Sequence, residues 1–513
     1  MKKFFLPIFI LLLLAGSTTI SAQHRHTGLC GTKDQHLIKE RLMYNRAHPP
    51  AFAEVRGGTT YVPVKLHLVA RSDGTGRVNT VDVLDMMCLV NEIYRDQNIQ
   101  FYIRDGFRNL NQSAIYNTPN VQSGIQQIQS NKVNNAINIF ITGSTGTNGT
   151  LAYYQGGAQL DYIVADQRYI RSPSVMPHEL GHFFSLAHPF YGWEGNPYNP
   201  SVHGNPVGDF APSDPSQIGN VGLIPAERQD RSNCTQAADG ICDTPPDYLF
   251  AFTQNGCANY NGGAMDPNGD MVDPMENNIM SYFEDCDDYI FTNDQKTAIR
   301  ADLFSVFRNY VRPNYTPDLT VLDATNLTSP IDGEIWDEYT SVTLDWEAQP
   351  GAVSYIVQID RFRNFAFQPQ QFVVNDPFLV LNNLDPNRTY YWRVRPFGEL
   401  VTCTEFTEAA NFRTGDGAVS TKDIDYVKGW MVRPNPLRSD QSLTIAVDAD
   451  QSFEADVQLF NLTGQLIHQV NSHRFTSGQS ILEMPSLKLG AGMYIVAIRT
   501  EDAVSNKKFV VSD

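Results

Sequence analysis

The chain has 513 residues, 42% of them hydrophobic, and its 38 Lys+Arg against 56 Asp+Glu give a formal net charge of −18. That length predicts three or four domains. The acidic balance argues against nucleic acid or an anionic membrane surface as partner, and solubility alone accounts for it.

The N-terminus, MKKFFLPIFILLLLAGSTTISAQ, reads as a secretory signal: Lys2 and Lys3 form the positive end, Phe4–Ala15 the apolar run, and cleavage is expected after Ala22. The run is too short for a membrane anchor, and no later stretch is long enough to span a bilayer. Export permits disulfides among the seven cysteines. A pro-segment is read over 23–56, carrying Cys30 in LCGTKDQ and ending near Arg56, before the strand TYVPVKLHLVA. From there the pattern predicts a strand over 60–70, a helix over 80–96, a strand over 99–104, a helix over 120–130 and a strand over 136–142. An edge strand around Thr150–Tyr154 follows, and then a β-branched, alternating strand within Leu160–Ile170. Cys88 lies in the apolar helical stretch VDVLDMMCLVNEI and is expected to be a buried free thiol.

Residues 178–188 read HELGHFFSLAH, which gathers three of the chain's eleven histidines. On a helix, positions i and i+4 share a face, so His178 and His182 can grip one metal ion while Glu179 stands beside a bound water. His188 supplies a third ligand. Three protein ligands and one open position is the arrangement of a catalytic zinc site, with a carboxylate to take a proton from water. Pro177 suits the first turn of that helix.

The motif resembles that of the metzincin metalloproteases. Where the family has glycine this chain has Ser185; a positive φ at serine costs roughly 1 kcal/mol or more. Downstream, NNIMSY (Asn277–Tyr282) is similar to the Met-turn of the pappalysin, or cytophagalysin, branch. The resemblance implies that Met280 floors the zinc histidines and that Tyr282 stabilises a developing oxyanion. It also implies a Cys-Gly-Thr latency switch, in which the Cys30 thiolate fills the open zinc position. DGICDTPPDY (Asp239–Tyr248) is similar to the same branch. In DPNGDMVDP, Asp266, Asn268 and Asp270 have the alternating spacing of a calcium loop, though not of an EF-hand; polar turn chemistry explains the pattern equally well, and the family's structural calcium favours the ion. Four cysteines surround the two motifs; Cys234–Cys242 and Cys257–Cys286 is the favoured pairing of the three possible. In the resembled family a cysteine likewise follows the Met-turn closely.

The catalytic domain is read over 57–312, closed by a helix over Phe291–Val311 with Thr292 as N-cap. Its upper half predicts a mixed, twisted sheet with the zinc-binding helix; its lower half, rich in Gly, Pro, Asn and Asp, predicts loops. Residues 318–415 turn to short alternating strands, and NLDPNRTYYWRV resembles the tyrosine-corner strand of a fibronectin type III sandwich, with Tyr390 at the corner and Trp346 and Trp392 in the core. Cys403 stands alone there. Residues 426–513 form a second β-sandwich; VRPNP, LFNLTGQLI, LGAGMYIVAI and KKFVV together resemble the C-terminal sorting domain of the type IX secretion system. The fold class is thus a multidomain chain: an α+β metzincin domain followed by two β-sandwich domains. The reading is a secreted zinc endopeptidase, released or attached to the outer cell surface, that acts on protein or peptide substrates and engages the type IX machinery. The alternative is a non-catalytic surface adhesin with a vestigial protease fold, against which the intact Glu179 and ligand set argue.

Overall fold

The computed structural model describes residues 29–50, 58–157, 161–214, 222–249, 257, 260, 262–283, 286–339, 341–366, 369–381, 384–417, 424–461, 466–501 and 503–512. The signal sequence and the expected cut near Arg56 lie outside the described residues. The chain is multidomain and α+β, in two compact units, Met1–Pro317 and Asp318–Asp513.

The first unit is built on one seven-stranded sheet. Its strands are β1 (Leu29–Cys30), β2 (Thr60–Ala70), β3 (Ile99–Ile103), β4 (Arg108–Asn111), β5 (Ile137–Thr142), β6 (Thr150–Gln155) and β7 (Tyr162–Asp166). The order is β1-β6-β7-β5-β2-β3, with β4 also on β2. β2, β3, β4, β5 and β7 pair in parallel, and β6 runs antiparallel to β7. Every residue of β5 (INIFIT) is buried, which is why it reads as a continuous apolar run: helices cover both faces of a parallel sheet. Helix α1 is Gln35–Ala47, α2 Thr80–Tyr94, α3 Gln122–Asn131, α4 Val175–Phe183 and α5 Asn293–Leu303. Asn79 caps α2, its side chain accepting from the Val81 amide. Thr292 and Gln295 form a reciprocal capping box at α5.

Two expectations change here. The closing helix does not run to Val311: α5 ends at Leu303, and Ser305 then caps a separate 3-10 turn over Val306–Val311 through the Phe307 amide. Cys88 is disulfide-bonded rather than free. Its position on α2 is only half-buried, so the helix's apolar pattern did not require it to face the core.

Among the described residues, the second unit holds four sheets. Leu327–Ser329, Val342–Trp346 and Phe378–Leu381 form one; Glu334–Glu338, Ser354–Asp360, Gln370–Val374, Thr389–Phe397 and Ala410–Gly417 form another. Trp346 and Trp392 are buried in the core between them, ring centroids 6.3 Å apart. The Tyr390 hydroxyl accepts the Asp385 amide at 2.9 Å. Cys403 is disulfide-bonded. The last two sheets, of three and five strands, share a core that includes Trp430, Leu443, Ile445, Val457, Phe475 and Phe509. Leu443–Ala449 alternates buried and half-buried without a break, the period-two signature of a strand with one face inward.

Candidate metal centre

The site lies where α4 packs against strand β6, which the short strand β1 flanks. Gly181 makes the packing of α4 on the Met280 turn possible: a Cβ there would stand 2.4 Å from the Met280 Sδ. The Tyr94 hydroxyl of α2 donates to the Pro177 carbonyl at 3.1 Å and ties the helix to the core. Beyond α4, Ser185 has φ 68°. Its buried hydroxyl donates to Asp302 Oδ1 at 2.7 Å. Arg308 donates to the other Asp302 oxygen at 2.7 Å, to Asp161 at 2.8 Å and to the Phe183 carbonyl at the end of α4. A charge-assisted hydrogen bond in the interior is worth about 1.5–3 kcal/mol, enough to offset the backbone cost of serine in a left-handed turn.

The three histidines are brought together and fully buried. Each has its Nδ1 on an oxygen: His178 on the Ile279 carbonyl at 2.8 Å, His182 on the Leu186 carbonyl at 2.7 Å, and His188 on Glu194 Oε1 at 3.2 Å. A carbonyl oxygen only accepts, so Nδ1 of His178 and His182 carries the proton and the Nε2 lone pairs are bare. Burial pushes the His178 pKa down to about 4 and those of His182 and His188 well below the ordinary value, so the rings are neutral. Nε2 of His188 lies 3.2 Å from Nε2 of His178 and 3.2 Å from Nε2 of His182. Three lone pairs directed at one point repel unless a cation sits between them. Tetrahedral ligation with bonds of about 2.0–2.1 Å separates nitrogens by about 3.3 Å, so the donor set fits zinc.

Cys30 completes the cluster. Its Sγ is 3.4 Å from His182 Nε2, and the four ligand atoms lie within 4.8 Å of one another. β1 pairs in parallel with β6, Leu29 facing Thr150 and Cys30 facing Ala152, and the Gly31 amide donates to the Ala152 carbonyl at 2.8 Å. Burial, then the Glu179 carboxylate, raise the Cys30 pKa well above its ordinary value, so only a nearby cation can hold the thiolate there. Thr32 accepts the Tyr154 amide at 2.8 Å and donates its hydroxyl to Glu179 Oε2 at 2.9 Å. Burial pushes the Glu179 pKa up to about 7. α1 continues the contact. Lys39 donates to the carbonyls of Gln236, Ala237 and Ala238 at 2.8–3.0 Å, Arg46 to that of Gly240 at 2.5 Å, and Asn45 to Asp302 at 2.8 Å.

Met280 is fully buried, and Tyr282 stacks edge-on to His188, centroids 5.0 Å apart, while its hydroxyl donates to the Cys30 carbonyl at 3.3 Å. Ser281 donates to Asp247 at 2.7 Å, which links the DTPPDY segment to this turn. Cys234 is bonded to Cys242 and Cys257 to Cys286. Around Asp266, Oδ1 accepts the amides of Asn268 and Asp270, and Oδ2 that of Gln229, while the Asn268 side chain turns to Asp230. That loop is organised by backbone hydrogen bonds to one carboxylate, the polar turn chemistry open to such a sequence. Thr32, Glu194 and Asp302 were not singled out by the sequence. Thr32 adjoins Cys30 and could have been; the other two become visible only when the chain closes.

Residues 431–512 match the family model described as a secretion system C-terminal sorting domain. The chain is therefore secreted or attached to the cell surface, and no described helix is long and apolar enough to cross a membrane. Among solved structures it is similar to a mutant of Tannerella forsythia promirolysin, at 16% identity and TM-score 0.38, over 55% of this chain and 96% of that one. It is similar to the chicken CNTN1 FN1–FN3 domains at 12% identity and TM-score 0.16, over 37% and 66%. It is also similar to the fn3 domain of the human collagen alpha-1(XX) chain at 22% identity and TM-score 0.14, over 21% and 89%. No curated protein matches. With TM-scores this low, a functional reading stands on the geometry of the site.

Proposed function

We propose that this protein is a zinc-dependent endopeptidase of the metzincin class, pappalysin branch, exported through the type IX system as a latent precursor. The observation that carries the reading is the convergence of three neutral imidazoles with their Nε2 lone pairs on one point, beside a buried carboxylate. His178, His182 and His188 would hold zinc, which when bound supplies Lewis acidity toward a peptide carbonyl and toward water. Glu179, with a pKa near neutrality, takes a proton from the attacking water and returns it to the leaving amine. Tyr282, kept a neutral phenol by burial, donates to the oxygen on which charge develops. The Met280 side chain supports the histidines from below.

Latency is assigned to residues 23–56, after a signal over 1–22. Cys30 occupies the ligand position that a substrate needs, and Thr32 occupies the general base. The remaining assignments are a protease domain over 57–312, a fibronectin type III-like spacer over 318–415 and the sorting domain over 426–513. A calcium ion in the Asp266–Asp270 loop, with Asn268, belongs to the same family reading.

The test is casein hydrolysis by the purified full-length chain and its Cys30→Ala variant, each with and without a zinc chelator. Chelator-sensitive cleavage is expected, present from the start in Cys30→Ala and delayed in the parent. A precursor equally silent in both forms sinks the Cys30 assignment. Cleavage that survives the chelator sinks the zinc reading.

A further inference from the structure

We infer that Glu194 is a positioning residue for the metal: it orients His188, the ligand that no helix holds. The inference rests on the zinc reading above. His178 and His182 project from α4 and are spaced by its backbone, with Nδ1 of each on a main-chain carbonyl. His188 lies beyond the helix, after the left-handed turn at Ser185, so its ring is fixed only by what it touches. One face stacks on Phe190, centroids 4.5 Å apart and planes 19° apart, which limits tilt but leaves rotation within the ring plane free. Glu194 removes that freedom. Its Oε1 is 3.2 Å from His188 Nδ1, and its Oε2 accepts the Gly192 amide at 2.7 Å.

The loop is shaped to return this carboxylate to the ring. The Tyr191 amide donates to the His188 carbonyl at 3.0 Å and the Trp193 amide to the Phe190 carbonyl at 2.8 Å. Between them Gly192 has φ 104°, and a Cβ there would stand 2.9 Å from the Ala211 Cβ. The turn thus requires glycine and places Glu194, itself buried, against the histidine six residues back. Burial pushes the Glu194 pKa up to about 8, and a cation on His188 would favour its ionised form. A carboxylate then accepting from Nδ1–H fixes the tautomer, aims Nε2 at the metal and makes the imidazole a stronger donor than a carbonyl partner does. Of the three imidazoles, only that of His188 has a carboxylate on its Nδ1.

The experiment is zinc affinity by chelator competition, together with the melting temperature with and without zinc, for the full-length parent, Glu194→Gln and Glu194→Ala. A positioning role predicts roughly 10–100-fold weaker zinc binding for Glu194→Ala and a smaller loss for Glu194→Gln, whose amide oxygen still accepts from Nδ1–H. The rise in melting temperature on adding zinc shrinks in the same order. A merely structural role predicts instead a lower melting point for the zinc-free variants with an unchanged rise, and that result overturns the inference. If Glu194→Ala does not fold, Glu194→Gln decides: parental affinity overturns the inference, and weaker zinc binding with an unchanged zinc-free melting point supports it. A parent that itself binds no zinc overturns the zinc reading, and this inference with it.

Discussion

The two units hold themselves together by different means. In the second, the described buried residues are almost all apolar or hydroxyl-bearing, and Arg395 is the one charged side chain among them. In the first, Lys65, Asp166, Glu179, Glu194, Glu227, Asp239, Asp247, Asp266, Asp302 and Arg308 are all buried, beside four buried histidines. Burying charge is costly unless each group is paired, so such groups persist where something other than stability selects them. The β-sandwich sheets are what packing alone produces. The first unit carries a more polar interior, part of which surrounds the convergence of His178, His182 and His188.

The contrast can be broken at several places. The largest effect is expected on catalysis: Glu179→Ala should keep zinc and lose peptidase activity by roughly 10²–10⁴-fold, measured on casein in the Cys30→Ala background. Substantial residual turnover there would remove Glu179 from the chemistry. Next, Asp302→Ala leaves Arg308 with one fewer buried counter-charge and Ser185 without its acceptor. A loss of about 3 kcal/mol is expected, confined to the first unit's unfolding transition in calorimetry. An equal loss from an exposed pair such as Arg361–Asp385 would erase the contrast between the units.

Two buried groups, one in each unit, should contribute to the pH dependence of stability with opposite sign. His67 is buried against Phe140, ring centroids 4.1 Å apart, and burial lowers its pKa to about 4. The unfolded chain takes up that proton near pH 6.5 and the folded chain does not. The stability it contributes is therefore whole above pH 6.5 and falls by about 3 kcal/mol as the pH drops toward 4. Asp345 in the second unit is raised to about 7 by burial. Its contribution is whole at low pH and is lost as the pH rises from about 4 to 7, by less, because the carboxyl is partly exposed. Melting profiles of His67→Gln and Asp345→Asn against the parent should each flatten one of these slopes; parallel slopes in all three proteins would refute both. The smallest effect is expected from Ser185→Gly, which relieves the left-handed backbone but deletes the hydroxyl bond to Asp302. A net loss of about 1 kcal/mol should appear in denaturant melts.

The parts of the site that were legible are those in which chemistry and chain spacing coincide. HELGHFFSLAH names the three histidines that converge, because a helix fixes the distance between His178 and His182, and NNIMSY is a short, self-contained turn. Strands β2 and β5 were legible from apolar runs. Illegible were the contacts made by closure across long sequence separations. Ser185 and Asp302 are 117 residues apart, Thr32 and Glu179 147, and nothing local in either partner names the other. Glu194 was close to the motif but hidden, because only the turn at Gly192 brings it back to His188. β1 is two residues long and has no pattern of its own; its partner makes it a strand.

That pairing has a colloidal side. β6, TLAYYQ, carries no charge along its length and has β7 on one flank and β1 on the other. Whatever lifts Leu29–Cys30 away uncovers the backbone groups that β1 pairs on an uncharged strand, the kind of border along which separate molecules join into larger particles. On the proposed latent-precursor reading, the untrimmed chain would be the form suited to high concentration and the trimmed chain the form suited to dilution.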